Sequence, residues 1–271
     1  MIERFQRSWE LMKESFRVLA GDKRMLVFPV LSGIAVVVVS VSFAIPVFAS
    51  GAFIGHARMT NAEYGILFLF YFANYFVIVF FNSALVACAN ICLAGGHATV
   101  GDGLSAAWSR VGRIFLWALV AASVGSVLRF LEDRTEKLGK LIAWLLGTAW
   151  TLMTYFIVPV LVFEDLGIVD SVKRSTSVLK KTWGEEIMSG FSFGLIWLLA
   201  IVAGVALASG AAMVHPLLGI AVGVIYFLAV SVVGAAVKSI FTVALYRYAS
   251  QGEVPAGFTP ELVQGAFISR G

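Results

Sequence analysis

Residues 7–13 read RSWELMK and residues 174–180 read RSTSVLK, so the two heptapeptides share basic, serine and apolar positions. Three stretches of the chain carry a related amphipathic pattern, and they begin at Glu3, Asp102 and Asp170. In register, the stretches end on three aromatic residues: Phe16, Phe115 and Trp183. Each stretch precedes two long apolar segments. A pattern that recurs at this scale indicates three copies of one structural unit.

The composition indicates a membrane protein. Of the 271 residues, 60% are hydrophobic and only 13% are charged, and the mean hydropathy is +0.92. A helix that crosses a bilayer needs roughly 17–25 apolar residues, and six segments supply them: Leu26–Ser50, Gly65–Leu93, Ile114–Leu131, Leu141–Phe163, Ile187–Val214 and Leu217–Leu245. These segments lack the alternation of barrel strands, so we expect helices.

The predicted fold is therefore all-α, with six transmembrane helices in three helical-hairpin repeats. A cytoplasmic amphipathic helix precedes each hairpin. The repeats cover residues 1–93, 94–163 and 164–245 of one membrane domain, 1–245, and a polar cytoplasmic tail covers 246–271. Each repeat contains two spans, so all three repeats have the same orientation in the membrane, as parallel repeats do.

The distribution of basic residues predicts the orientation. Fourteen Lys and Arg residues fall on the side of the termini and five on the opposite side, so the positive-inside rule places both termini in the cytoplasm. The segment 129–140 runs against this bias, because four basic residues fall there on the outer side. The first 25 residues are too charged for a cleavable signal peptide. We therefore expect a multi-pass protein of the bacterial inner membrane.

The amphipathic segments are candidates for binding anionic lipid. In the first, Phe5, Trp9, Met12, Phe16 and Leu19 form one apolar stripe at helical spacing. The interface candidates of the first and third segments are Arg7, Trp9, Lys13, Lys173, Arg174, Lys180, Lys181 and Trp183. Cations beside Trp residues suit a helix that lies in the membrane interface. The alternative is that these helices only anchor the bundle. Asp102 and Asp170 are the predicted N-caps of the second and third segments.

Polar residues inside the predicted spans are the second set of candidates, because such residues are costly in lipid. The set comprises Asn74, Asn82, Asn90, Lys238, Glu164 and Asp165. The asparagines would form a polar stripe, which suits either a ligand pathway or hydrogen bonds between helices. Lys238 either extends its amine to the interface, pairs with a charge such as the two acids that follow Pro159, or contacts a ligand. The proline is expected to kink its helix.

Catalytic and metal-binding patterns are not found in the sequence. The three histidines are scattered, the two cysteines lie inside a predicted span, and no phosphate-binding loop or nucleophile elbow occurs. The net charge of +4 arises from separate loops rather than from a basic domain, which excludes a nucleic-acid-binding module. We therefore expect neither an enzyme nor a cofactor or metal.

Two stretches carry a family resemblance. Residues 163–183 place an acidic turn, Phe163-Glu164-Asp165, before a helix that contains Lys173-Arg174-Ser175 and Trp183. This resembles the membrane domain attached to some bacterial glycerophosphodiester phosphodiesterases. Residues 7–10, RSWE, and 28–33, FPVLSG, resemble an uncharacterised six-span prokaryotic family more closely. The resemblance implies an integral membrane protein and supplies no catalytic residues, because the phosphodiesterase reaction belongs to a separate soluble domain.

The functional prediction is a non-enzymatic membrane protein that interacts with lipids or acts as a scaffold. Membrane lipids are its expected partners, and the sequence identifies no protein partner. The alternative is a transporter or channel for a small solute, based on the asparagine stripe and Lys238. An intramembrane enzyme would need an acid–base or nucleophile set that the sequence does not offer.

Overall fold

A computed structural model describes the backbone of residues 2–50, 60–134 and 137–258. Within these ranges it describes the side chains of all residues except 2–8, 50, 61, 130–138, 182–193, 195 and 196. Nine α-helices follow one another along this part of the chain: α1 Ile2–Gly21, α2 Val27–Ser50, α3 Asn61–Leu93, α4 Val100–Ser109, α5 Val111–Arg134, α6 Lys137–Met153, α7 Ile157–Phe163, α8 Ile168–Val214 and α9 Pro216–Gln251. A 3₁₀ turn, Lys23–Leu26, joins α1 to α2.

The predicted all-α class is confirmed, since no described residue belongs to a strand. Six helical segments are long and apolar enough to cross a membrane: Lys23–Ala49, Ala62–Leu93, Val111–Arg129, Gly139–Phe163, Trp197–Val214 and Pro216–Gln251. Each overlaps one of the six predicted spans. The threefold repeat and the interfacial position of the amphipathic segments stay predictions.

The described residues form two compact units. The first takes the described parts of Met1–Leu26, Ala89–Ala98 and Val178–Gly271, and the second those of Val27–Cys88 and Thr99–Ser177. In the first unit α1 packs on α9, and Leu11, Phe241 and Leu245 are buried between them. In the second unit α5 packs on α6, where the Trp117 and Trp150 rings stack at 5.6 Å.

The start of α4 differs from the prediction that Asp102 is its N-cap. Thr99 is the N-cap, and its hydroxyl accepts a hydrogen bond from the Asp102 backbone N–H at 3.2 Å. The Asp102 carboxylate accepts from the Thr99 N–H at 2.8 Å and from its hydroxyl at 2.7 Å. These bonds form a capping box and lower the pKa of Asp102 below its ordinary value. Asp170 likewise lies in the first turn of α8 rather than before it.

The fourth predicted span is interrupted rather than merely kinked. Helix α6 ends at Met153 and α7 begins at Ile157, two residues before Pro159. A proline has no N–H and its ring clashes with the carbonyl four residues earlier, so it disfavours a continuous helix here. The Phe156 N–H in the break donates to the Ser175 hydroxyl at 3.1 Å. The interruption is thus satisfied by a side chain from α8.

The third amphipathic segment and the fifth span were predicted as separate elements, and this prediction is wrong. They form the single helix α8 of 47 residues, which is about 70 Å long at 1.5 Å per residue. Proline is absent between Ile168 and Val214, and the polar residues 180–186 include good helix formers such as Lys and Glu. Within α8, the candidate membrane span is Trp197–Val214.

Small residues let α8 and α9 approach closely. A Cβ atom added to Gly204 would lie 2.6 Å from the Tyr226 ring, and one added to Gly219 would lie 2.5 Å from the Ala212 Cβ. His215 caps α9 through its Nδ1, which accepts from the Leu217 N–H at 3.2 Å. The two helices therefore form a tight hairpin.

Candidate functional site

Helix α1 buries a narrower face than its sequence predicts. Leu11, Met12, Ser15 and Leu19 are buried, whereas Phe16, predicted in the apolar stripe, is 41% exposed. Burial of Ser15 is possible because its hydroxyl donates to the Leu11 carbonyl at 2.9 Å. The buried face is therefore rotated towards Leu11 and Ser15, and the Phe16 ring is free for other contacts.

Among the predicted interface residues of the first unit whose side chains are described, Trp9 is half-buried and Lys13 is exposed. The Lys13 amine lies 5.9 Å from the centroid of the Trp9 ring, a cation–π contact. Lys180 and Lys181 are exposed on α8, and Lys181 donates to the Ala249 carbonyl in the last turn of α9 at 3.4 Å. The side chains of Arg7 and Trp183 lie outside the described residues.

The basic side chains of the second unit differ from the interface lysines of the first, since they form ion pairs with acidic side chains. Arg174 Nε donates to both Glu164 oxygens, at 2.7 and 3.0 Å. Arg110 pairs with Asp165 at 3.2 Å, and Arg113 pairs with Asp165 and donates to the Glu164 carbonyl at 2.6 Å. Lys173 pairs with Asp170 at 3.0 Å. Arg174 and Lys173, predicted to bind lipid, thus take part in ion pairs within the protein.

Glu164 and Asp165 are the two acids suggested as partners of Lys238. Both form ion pairs with arginines instead. Sequence reasoning gave no role to Arg110 or Arg113, since they lie more than 50 positions before the acids. Their spacing of three on neighbouring helical turns was the available signal, because such residues share a face.

Trp108 is a further exposed residue that the prediction did not include among the site residues. It is 69% exposed on α4, and its ring lies edge-on to Phe80 at 6.3 Å. It occupies the same register position as Trp9 in the repeat, which is the signal that would have found it. An exposed indole suits the boundary between membrane and water.

The three asparagines of the predicted stripe have different partners. Asn74 donates to the Phe70 carbonyl at 2.9 Å, and its buried Oδ1 has no hydrogen-bond partner among the described residues. Asn82 is half-buried and has interactions of its own. Asn90 accepts from Arg247 at 2.8 Å and therefore links α3 to α9. Nearer the start of α3, the Arg129 guanidinium lies 4.4 Å from the Tyr71 ring centroid and donates to its hydroxyl.

Arg247 also holds the segment after α9. It pairs with Glu253, while the Ala256 N–H donates to the Leu93 carbonyl at 2.8 Å. Phe258 is buried against Leu11 and Leu245. The region predicted as a polar tail from residue 246 therefore begins as helix, because α9 continues to Gln251.

Lys238 is exposed on α9. Counted from Pro216, about 20 residues of helix cover a hydrocarbon core of about 30 Å, which ends near Ala236. Lys238 follows this position, so its amine needs little extension to reach the polar interface. The arrangement favours the interpretation in which the side chain snorkels.

Metal binding has no support from the described side chains, among which no three His, Cys, Asp or Glu come together. The described surface of the spans is apolar instead: Val37 is 61% exposed, Val202 60% and Ile225 68%. Large exposed patches of this kind mark surfaces that face another apolar phase. These features define an all-helical protein with six candidate membrane spans, compatible with a multi-pass membrane protein.

The chain belongs to DUF6159, a family of unknown function, whose model matches residues 61–258. No curated protein and no solved structure matches the chain significantly. The prediction of an uncharacterised family is confirmed. The comparisons give no support to the resemblance to the phosphodiesterase membrane domain.

Proposed function

We propose that this protein is a non-enzymatic, multi-pass protein of the bacterial inner membrane that holds anionic phospholipids at its cytoplasmic face. Its first unit would bind them through Trp9, Lys13, Lys180 and Lys181. The observation that carries the proposal is that these three lysines are exposed and form no salt bridge with a described carboxylate.

The contrast with the second unit supports this assignment. Arg110, Arg113 and Arg174 have carboxylate partners, so their charge is largely neutralised within the protein. Each free Lys near an anionic membrane surface contributes about 1 kcal/mol. Three such lysines would give a preference of roughly 3 kcal/mol for anionic over zwitterionic lipid, before screening by salt.

The orientation rests on the positive-inside rule, and the long helices are consistent with it. The first turns of α8 carry Lys173, Lys180 and Lys181. Because the candidate span of α8 begins only at Trp197, this polar part lies outside the membrane on the side of the basic segments. Trp9 beside Lys13 provides the indole expected at that interface.

Native mass spectrometry of the full-length protein in detergent tests the proposal. We expect the wild type to bind phosphatidylglycerol at least tenfold more tightly than phosphatidylcholine. The triple variant Lys13→Gln, Lys180→Gln, Lys181→Gln should lose most of this preference. A control triple variant, Arg58→Gln, Lys137→Gln, Lys140→Gln, removes basic residues predicted on the opposite side and should keep it. Equal affinities for both lipids in the wild type would refute the proposal.

A transporter or channel is the second candidate, favoured by the buried Asn74 Oδ1 that has no hydrogen-bond partner among the described residues. Such an atom would suit a site for water or a polar solute. Thiol labelling discriminates the two functions, using Asn74→Cys and Asn82→Cys in a cysteine-free background. A water-filled pathway requires both to react with a membrane-impermeant reagent much faster than Ile225→Cys, whose position faces outward. Equal, slow reaction at all three positions would remove the basis of a pathway.

A further inference from the structure

An apolar crevice of about 360 Å³ lies in the first unit between α1, α8 and α9. Met12 and Phe16 of α1 line it, with Trp197 of α8 and Tyr226, Val233 and Val237 of α9. Its volume is in the range of small-molecule sites, about 300–1,000 Å³. The exposed Phe16 ring, which α1 does not bury in the core, thus forms part of its wall.

The dimensions of the crevice fit a lipid tail. It follows α9 from Tyr226 to Val237, which is about 16 Å at 1.5 Å per residue. Half of a hydrocarbon core of about 30 Å is about 15 Å. The crevice therefore has the length of an acyl chain in a single leaflet, and it lies in the leaflet next to α1.

Small residues keep the space open. Ala200, Ala229 and Gly234 line it where larger side chains would fill it. A Cβ atom on Gly234 would already lie 3.5 Å from the Trp197 ring. At the far end the Tyr226 hydroxyl donates to the Ala200 carbonyl at 3.0 Å, so this polar atom is satisfied within the protein.

Two lysines directly follow residues that line the crevice. Lys13 follows Met12 on α1, and Lys238 follows Val237 on α9, one helical turn beyond Gly234. Both lysines are exposed, and neither forms a salt bridge with a described carboxylate. An apolar slot with exposed lysines next in sequence to its lining residues is complementary to an amphiphile with a long tail and an anionic head.

We infer that this crevice binds one phospholipid with an anionic headgroup. One acyl chain lies along α9 from Val237 to Tyr226, and the phosphate contacts Lys13 and Lys238. The inference rests on the proposed function and deepens it, because it assigns a single defined lipid in addition to lipids bound at the surface.

Blocking the crevice tests the inference. Ala229→Trp places an indole in the space, and Ala221→Trp makes the same change at an exposed position of α9 that does not line it. Purified full-length proteins are washed in detergent, exposed to phosphatidylglycerol, and scored by native mass spectrometry for one lipid that resists dissociation. We expect Ala229→Trp to reduce the fraction carrying this lipid at least tenfold and Ala221→Trp to leave it unchanged. Equal fractions in the two variants would overturn the inference.

Two further variants separate the possible failures. Val233→Phe narrows the crevice by a smaller change, and it should also lose the resistant lipid while keeping the wild-type melting temperature in detergent. Lys238→Gln should retain a lipid but lose the preference for phosphatidylglycerol over phosphatidylcholine at this site. If the resistant lipid persists in both crevice variants while the surface preference is intact, the crevice inference fails and the proposed function stands. If the wild type shows no surface preference for phosphatidylglycerol over phosphatidylcholine but retains the resistant lipid, only the proposed function is refuted.

Discussion

A hydrogen bond between Ser175 and Phe156 joins α8 to the break between α6 and α7. The buried Ser175 hydroxyl on α8 accepts the hydrogen bond of the Phe156 N–H, at 3.1 Å, in the break between α6 and α7. Thr176, its neighbour, donates to the Met153 carbonyl at 3.4 Å on the other side of the same break. The serine of the RS pattern therefore has a structural role: it supplies a partner that the interrupted helix lacks.

Removal of this hydroxyl should destabilise the protein. Ser175→Ala removes the hydrogen bond that the hydroxyl makes with the Phe156 N–H, at a cost of about 1 kcal/mol. The melting temperature in detergent should fall accordingly. Ser177→Ala, at an exposed position of the same helix, is the control and should stay within about 0.5 kcal/mol of the wild type. Equal melting temperatures for the two variants would show that Phe156 is satisfied in another way.

Two glycines of α4 should respond oppositely to the same change. A Cβ on Gly103 would lie 2.6 Å from Phe28 Cζ and 2.7 Å from the Ala84 carbonyl oxygen, so Gly103→Ala should cost about 1–3 kcal/mol. A Cβ on Gly101 would meet only the Thr99 hydroxyl, at 3.6 Å. Gly101→Ala should therefore be neutral or stabilise the helix by up to about 1 kcal/mol. Thermal unfolding of both variants checks this, and a stable Gly103→Ala protein would contradict the packing.

The capping box of α4 makes a pH-dependent contribution. Hydrogen bonds from the Thr99 backbone and hydroxyl lower the pKa of Asp102 from 3.8. Because the folded-state pKa is below the unfolded one, the stabilisation is complete above 3.8 and is lost as the pH falls through the folded value. The melting temperature of the wild type should thus exceed that of Asp102→Asn by a constant margin at neutral and mildly acidic pH. The margin should shrink only at strongly acidic pH. A margin that vanishes already near neutrality would contradict this reasoning.

The link between Asn90 and Arg247 should control the segment after α9. Arg247 is 12% exposed, and its bond to Asn90 is charge-assisted. Asn90→Ala should cost about 2 kcal/mol and expose residues 252–258 to limited proteolysis. Glu253→Gln removes the more exposed partner and should have a small effect, since exposed ion pairs contribute about 0–1 kcal/mol. Equal cleavage rates in the two variants would show that the bond between Asn90 and Arg247 does not retain the segment.

The spans could be predicted because a run of about twenty apolar residues, in a chain with so little charge, has few possible environments other than a membrane. The end of the last span was harder to place. Phe241, Val243 and Leu245 are apolar because protein buries them, so they do not mark lipid contact. The predicted last span therefore includes residues beyond Lys238 that are buried in protein. Hydrophobicity alone does not distinguish burial in protein from burial in lipid.

The polar contacts depend on tertiary structure to different degrees. The capping box needs only Thr99 and Asp102, three positions apart, yet the prediction placed the N-cap at Asp102 instead of Thr99. The pairing of Arg113 with Asp165 joins residues 52 positions apart and becomes visible only when α5 and the end of α7 meet. The continuity of α8 was missed because a change from polar to apolar residues was taken as a boundary, although the backbone had no reason to end there.

Cysteine accessibility in intact cells tests the proposed topology most directly. In a background with Cys88 and Cys92 replaced, single substitutions Lys13→Cys, Ser109→Cys, Lys180→Cys and Ser250→Cys report on one side. Lys140→Cys and Met213→Cys report on the other. We expect an impermeant thiol reagent to label positions 140 and 213 in intact cells, and to label positions 13, 109, 180 and 250 only after the inner membrane is permeabilised. Labelling of any of these four in intact cells, to the extent seen at 140, would contradict a common cytoplasmic side for the basic segments.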